Sequence, residues 1–168
     1  YIGARAGDFT FNDRLSGKDR LSGKKVDVLE VHEENAERLR HIGWLRNVIH
    51  ADVRDWAPSE RYDVVIWWHG PEHIEEEGLS SVLEKLNGIA DKGIVLGCPW
   101  GHHDQGALRA NPHEVHVSHH YPDVFEDMGY SVECLGRPEE KGSSIIAVKR
   151  QDADRRVKNA MKAYAIYT

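Results

Sequence analysis

Hydrophobic positions in this chain fall into short solid runs separated by longer stripes of helical period. Residues 26–31 (VDVLEV), 47–50 (NVIH), 61–68 (RYDVVIWW) and 94–98 (IVLGC) are short, apolar and rich in β-branched residues. They read as strands. In the 61–68 run nearly every position is apolar, as expected of a strand covered on both faces. Between the runs lie amphipathic stripes. Residues 33–42 place Ala36, Leu39 and Ile42 on one face, with Glu37 and Arg38 outside, and Gly43 ends the helix. Residues 74–90 do the same with Leu79, Val82, Leu83, Leu86 and Ile89. A third helix is predicted over 121–128, with Val124, Phe125 and Met128 inward and Gly129 at its end. Two strands, 130–135 and 143–148, then follow one another across a turn-forming sequence, Gly136-Arg137-Pro138-Glu139-Glu140-Lys141-Gly142, which predicts a hairpin. Asp152 would cap a last helix over 153–164, striped by Val157, Ala160, Met161 and Tyr164.

Alternation of strand and helix predicts an α/β fold: a mostly parallel central sheet with helices on both faces. The closing pair of strands adds one antiparallel member. Ligands on such sheets bind beyond the carboxyl ends of the strands, at the switch point. The chain divides into one domain over 1–150 and a helical extension over 151–168. The residues between the fifth strand and the third helix, 99–118, form a long loop rich in His, Gly, Asn and Pro. Loops of this length inside a domain are often functional.

The amino-terminal stretch departs from this pattern. Gly3-Ala4-Arg5-Ala6-Gly7 is a glycine turn that begins only two residues into the sequence. Such a turn needs a strand before it, so the first strand is read as truncated here, with further residues expected upstream of Tyr1. Asp13-Arg14-Leu15-Ser16-Gly17-Lys18 is then repeated without change as residues 19–24. Two copies of six residues cannot build a solenoid. A slipped duplication in a surface loop is the simpler account, and long surface insertions are tolerated at small free-energy cost.

Composition narrows the function classes. With 168 residues, 40% hydrophobic and 30% charged, the chain has the make-up of a folded soluble domain. A formal charge of −6 removes any broad electrostatic case for nucleic acid. No apolar run reaches membrane-span length and no signal peptide is visible, so a cytoplasmic protein is the default expectation. The two cysteines, Cys98 and Cys134, lie far apart and read as thiols. Oligomeric state is left open, a homodimer included.

The residue pattern that the rest serves is the 26–31 strand, which delivers Glu30 at its carboxyl end just before a helix. Nucleotide-binding α/β folds hold a ribose in this way. An acid of this kind is expected about 20 residues past the glycine loop. Gly7 to Glu30 is 23 residues, and 17 without one copy of the repeat. Together, the order of four landmarks resembles the class I S-adenosylmethionine-dependent methyltransferases, specifically those acting on small molecules. The landmarks are Ile2-Gly3-Ala4-Arg5-Ala6-Gly7, Glu30, Ala51-Asp52-Val53, and Tyr62-Asp63-Val64-Val65-Ile66 followed by Glu72-His73-Ile74. Asp91-Lys92-Gly93-Ile94-Val95-Leu96 resembles the family's turn into its fifth strand. The resemblance runs from Gly3 to about Lys149. It departs from the family at Arg5, which replaces the usual middle glycine, and at Tyr1, which stands near the usual acid.

The resemblance implies a Rossmann-like fold, S-adenosylmethionine as cofactor and a small-molecule or sugar-type acceptor. It implies that Gly3, Ala4, Arg5 and Gly7 approach the cofactor, and that Glu30, with Val31 beside it, holds the ribose hydroxyls. It further implies that Asp52 and Val53 meet the adenine and that Trp68 lies near the adenosine or acceptor. A competing role exists for each: a tight turn for the glycines, a solvated strand end for Glu30, a turn or cap for Asp52, and plain core for Trp68. The glycine spacing disfavours a dinucleotide oxidoreductase, because no glycine sits where backbone must meet a pyrophosphate. A non-catalytic binding module with the same fold remains the alternative, motivated by Arg5 and the repeat.

Eleven histidines invite attention. His69, His73 and His116 are candidates for a general base toward an oxygen or nitrogen acceptor. The Glu72-His73 pair could equally only stabilise the start of its helix. His113-Glu114-Val115-His116 is not the HExxH zinc motif, since its second histidine comes one residue early. Scattered loop histidines are more often solvated or structural, so no metal is expected.

Overall fold

The computed structural model describes residues 1–3 and 23–150. The tandem repeat up to Ser22, Ala4, Arg5, Gly7 and the expected 153–164 helix lie outside the described residues. Six strands and three α-helices are found among those described: β1 (Asp27–Glu30), α1 (Glu33–Arg40), β2 (Asn47–His50), β3 (Tyr62–Trp68), α2 (Glu76–Ile89), β4 (Ala90–Pro99), α3 (Pro122–Asp127), β5 (Ser131–Leu135) and β6 (Ser144–Arg150). None of the helices is long and apolar enough to cross a membrane.

β1 pairs in parallel with β2, and β3 in parallel with β4. β6 runs antiparallel between β4 and β5. The two groups of strands meet through the first residues of the chain. Ile2 donates its N–H to the Ile66 carbonyl (2.9 Å), Gly3 donates to the Leu29 carbonyl (2.8 Å), and Leu29 donates to the Tyr1 carbonyl (2.8 Å). Tyr1 and Ile2 therefore fill the place of a strand between β1 and β3. The spatial order is β2, β1, Tyr1–Ile2, β3, β4, β6, β5. The result is a Rossmann-like α/β arrangement with a mixed sheet, as the alternation predicts.

Side chains on successive strand residues point to opposite faces. On one face Leu29, Val65, Trp67, Ile94, Leu96, Cys98, Ile145 and Ala147 pack with Leu79, Val82, Leu83 and Leu86 of α2 and with Phe125 of α3. On the other, Val95, Ile146 and Val148 pack with Trp68, while Val28 packs with Leu39 of α1. The α2 stripe is the one read from the sequence. α1 carries Glu33 and Glu34 in its first turn and Arg38 and Arg40 in its last, which complements the helix dipole at both ends.

Element ends differ from the sequence reading by a few residues. α1 stops at Arg40, and α2 begins at Glu76, because Pro71–His73 forms a separate 3-10 turn first. β4 is longer than the apolar run, since Ala90 already pairs with Tyr62 at the start of β3, and Asp91 and Lys92 span an irregularity before pairing resumes at Val64 and Gly93. β3 itself is deeply buried only toward its end. Asp63 is exposed and pairs with Lys92 (2.5 Å).

Candidate active site

Because β1 to β4 run the same way, their carboxyl ends share one edge. The candidate residues gather there. Glu30 ends β1 with its side chain buried. One carboxylate oxygen accepts from the His32 N–H (3.0 Å), and its carbonyl accepts from Ala51 (3.1 Å). Gly3 stands one residue away across the Leu29 bond, with φ of +65°, a left-handed conformation that glycine adopts without strain. Among the described residues, a Cβ there would meet nothing within 4 Å. Val31 is half-buried, and its carbonyl accepts from His50 Nε2 (3.0 Å).

Asp52 and Val53 follow β2 in a tight turn. The Asp52 carboxylate accepts from the Arg54 N–H (2.8 Å) and from its guanidinium (2.7–3.2 Å), and Arg54 also reaches Glu75 (3.0 Å). These bonds from Arg54 hold the Asp52 carboxyl below the usual carboxylate range. The Asp52 side chain is thus engaged within its own turn. Val53 is buried in the core. Lys85 Nζ donates to the carbonyls of Val53 (2.9 Å), Arg54 (2.7 Å) and Trp56 (3.1 Å), so one ammonium closes the turn with all three of its protons. Trp68 is buried, and its ring lies over Gly97, where an added Cβ would fall 2.3 Å from the indole. Its Nε1 is buried with no hydrogen-bond partner among the described residues.

The end of β3 is unusual. His69 has φ of +49°, sparsely populated for a residue with a Cβ. Such strain persists only where surroundings enforce it, and it concentrates at functional sites. Here the His69 N–H is fixed on the Gly97 carbonyl (2.8 Å). Gly70 follows, and a Cβ on it would fall 1.7 Å from the Trp67 indole nitrogen. Only glycine permits the chain to turn there. Pro71-Glu72-His73 then makes the 3-10 turn.

Glu72 is 2% exposed, a charged residue in the core. One of its oxygens pairs with His69 Nδ1 (3.1 Å), while the other, Oε2, is buried with no hydrogen-bond partner. Burial pushes the Glu72 carboxyl up, but the His69 hydrogen bond and the nearby His69 and His73 charges outweigh it and leave the net shift downward. The Glu72 carbonyl accepts from Val117 (2.9 Å) and Ser118 (3.3 Å), which ties the turn to the long loop.

That loop brings His116 to His73. Their ring centroids are 5.1 Å apart, edge to face. His73 Nδ1 bonds the Val115 carbonyl (2.9 Å) and His116 Nδ1 bonds the His103 carbonyl (2.5 Å). Burial lowers the His116 pKa, opposed in part by the His103 hydrogen bond. The loop is internally braced. Gln105 donates to the Glu114 carbonyl (2.7 Å), His116 N–H donates to the Gln105 carbonyl (3.0 Å), and Asn111 caps a 3-10 turn at Pro112–Glu114.

Two of the three candidate bases, His73 and His116, therefore touch, and the third, His69, reaches them through Glu72. The sequence reading gave Glu72 only a helix-start role; its burial among three histidines went unseen. The signal was the Glu-His doublet directly after a strand in a chain with a histidine-rich loop. Cys98 and Cys134 are free thiols, and burial pushes Cys98 well up.

No family model matches the sequence, and no curated protein matches it. Solved structures do resemble it. DhpI in complex with SAH aligns with 92% of this chain and 76% of its own, at 15% identity and a TM-score of 0.65. The N-methyltransferase NodS from Bradyrhizobium japonicum WM9 in complex with S-adenosyl-l-homocysteine aligns over 90% of this chain and 76% of its own, at 15% identity and a TM-score of 0.60. Magnesium protoporphyrin IX methyltransferase (ChlM) from Synechocystis PCC 6803 with bound SAM aligns over 90% of this chain and 68% of its own, at 17% identity and a TM-score of 0.58. This chain shares the Rossmann-like fold of these methyltransferases.

Proposed function

We propose that the protein is an S-adenosylmethionine-dependent methyltransferase acting on a small molecule. The observation that carries this is the buried Glu30 carboxylate beside the left-handed Gly3, at the ligand edge of a methyltransferase fold. The residues fit the cofactor. A buried acid suits two ribose hydroxyls through charge-assisted bonds, and the left-handed backbone at Gly3 is the kind of glycine turn that lets backbone approach a ligand closely. Val31 and Val53 would line the adenine, with the Asp52–Arg54 pair at its rim. Ala4, Arg5 and Gly7 keep the cofactor-binding role that the resemblance implies for them.

The cofactor, when bound, supplies an electrophilic methyl group on a sulfonium. The chain's part is to bind, align and exclude water. The acceptor would lie between the end of β3 and the 99–118 loop. There His69, His73 and His116 are the groups able to take a proton from an acceptor hydroxyl or amine.

Titration calorimetry of the full chain with S-adenosylhomocysteine tests the reading. Saturable binding is expected, and Glu30→Ala should weaken it about 10²–10⁴-fold, the worth of two hydrogen bonds to a charged group. Its circular dichroism should be unchanged. Absence of wild-type binding would refute the cofactor assignment, and equal affinity in the variant would refute the role of Glu30. Binding without methyl transfer to any hydroxyl or amine acceptor would favour a non-catalytic module.

A further inference from the structure

Three electron-pair donors converge beside β3. One ligand atom from each of Glu72, His73 and His116 lies within 4.8 Å of the other two. The hydrogen bonds around them show which atoms are available. A backbone carbonyl can only accept, so the Nδ1 atoms facing the carbonyls of Val115 and His103 carry the ring protons. In each neutral ring the lone pair is then on Nε2. The Glu72 oxygen without a partner, Oε2, is buried in a residue 2% exposed. A carboxylate lone pair and two imidazole lone pairs cannot satisfy one another. They call for a cation.

From this convergence we infer a binding site for a divalent transition-metal ion of the zinc class, ligated by Glu72 Oε2, His73 Nε2 and His116 Nε2. The surroundings match what such ions require. Ligating histidines commonly fix their tautomer by donating the second ring N–H to a carbonyl or carboxylate, as both do here. The other Glu72 oxygen is held by His69 Nδ1, which orients the carboxylate. A donor set of two imidazoles and one carboxylate suits zinc, cobalt or iron(II) and not the hard calcium or magnesium ions. Zinc–ligand bonds of about 2.1 Å in a tetrahedron separate ligand atoms by about 3.4 Å. One ligand atom from each residue already lies within 4.8 Å of the other two, so a local contraction completes the geometry. Three protein ligands leave a coordination position open.

The ion would join the 71–73 turn to the 99–118 loop, two segments already stitched by the Val117 and Ser118 bonds to the Glu72 carbonyl. A second group, His102, Asp104 and His119, is the built-in comparison. Its Asp104 side chain is 83% exposed and bonds His102 (3.1 Å), and the His102 and His119 rings lie tilted by 37° with centroids 3.9 Å apart. It has no buried, unpartnered donor. This inference does not rest on the methyltransferase reading, since it concerns the ion alone; with the ion bound, the Nε2 lone pairs of His73 and His116 are its ligands and neither ring serves as a base.

The test is cobalt(II) absorption and zinc(II) calorimetry on the untagged full chain after chelator treatment. One ion per chain is expected, with visible d–d bands of a four- or five-coordinate cobalt site. Even outer partners of metal ligands contribute ~10–100-fold to affinity, so His116→Ala, His73→Ala and Glu72→Gln should each weaken binding by about 100-fold or more. His119→Ala should leave affinity and spectrum unchanged. Circular dichroism checks that each variant folds, and an unfolded variant leaves the other two to decide. Failure of the wild type to bind either ion below millimolar concentration would overturn the site. So would binding that survives Glu72→Gln and His116→Ala but is lost in His119→Ala.

Discussion

Two buried acids at opposite edges of the sheet show what separates a structural carboxylate from a site. Asp27 begins β1 and Glu72 follows the end of β3; both side chains are almost wholly enclosed. Asp27 is saturated. Arg46 reaches it through Nε (2.7 Å) and Nη2 (2.5 Å), Asn47 through its amide (3.2 Å) and Tyr62 through its hydroxyl (3.2 Å). Four donors meet the roughly four lone-pair positions of a carboxylate. Glu72 has one oxygen engaged by His69 and the other without a partner. The first arrangement stabilises the chain and asks for nothing more. The second retains binding capacity, and it lies on the edge where α/β folds take their ligands. Glu30 belongs to the same edge.

The contrast can be broken most sharply at Glu30. Glu30→Ala is expected to remove S-adenosylhomocysteine affinity by about 10²–10⁴-fold while urea unfolding changes little. If the mutation instead unfolded the protein with no loss of affinity per folded molecule, Glu30 would belong with Asp27 on the structural side. Asp27→Asn should do the reverse. Loss of the charge-assisted bonds should lower stability by about 2 kcal/mol, read from the urea midpoint, with ligand affinity unaltered.

The pH dependence of that loss sharpens the point. Burial pushes the Asp27 carboxyl up, but the bonds from Arg46 and Asn47, the Arg46 charge and the Tyr62 hydroxyl outweigh it and hold its pKa below the usual range. A group whose folded pKa is depressed contributes stability above its unfolded pKa, about 3.9 for aspartate. That contribution is lost as pH falls through the folded value. The gap between wild type and Asp27→Asn should therefore be constant from pH 5 to 7 and narrow below about pH 4. A gap that widened in acid would contradict the depressed pKa. The smallest effect is expected at Glu72: without metal, Glu72→Gln should shift stability by less than about 1 kcal/mol in either direction, because it removes a buried charge with only one described hydrogen bond.

Legibility in the sequence follows the same division. Strand and helix identities were readable because burial imposes period, as with the Leu79–Leu86 stripe of α2 and the run at the end of β3. Element ends were not. The start of β4 is polar, and only its pairing with Tyr62 makes Ala90–Lys92 a strand. Glu30 could be placed at a ligand edge because strand end and helix start are local signals. The Asp52–Arg54 pair shows the limit: Asp-x-Arg is visible, but whether the arginine folds back on the acid depends on Glu75 and Lys85 from distant segments. His73 and His116 are 43 residues apart, joined only when the long loop folds over the 3-10 turn. No local pattern announces that meeting, and an expectation of scattered, solvated histidines overlooked it.

The most direct test of the central claim is a crystal structure of the full chain grown with S-adenosylhomocysteine. The account predicts the adenosyl group along the carboxyl edge of β1 to β3, with both ribose hydroxyls within hydrogen-bond distance of the Glu30 carboxylate. Ligand density elsewhere on the chain, or a ribose that leaves Glu30 untouched, would contradict it.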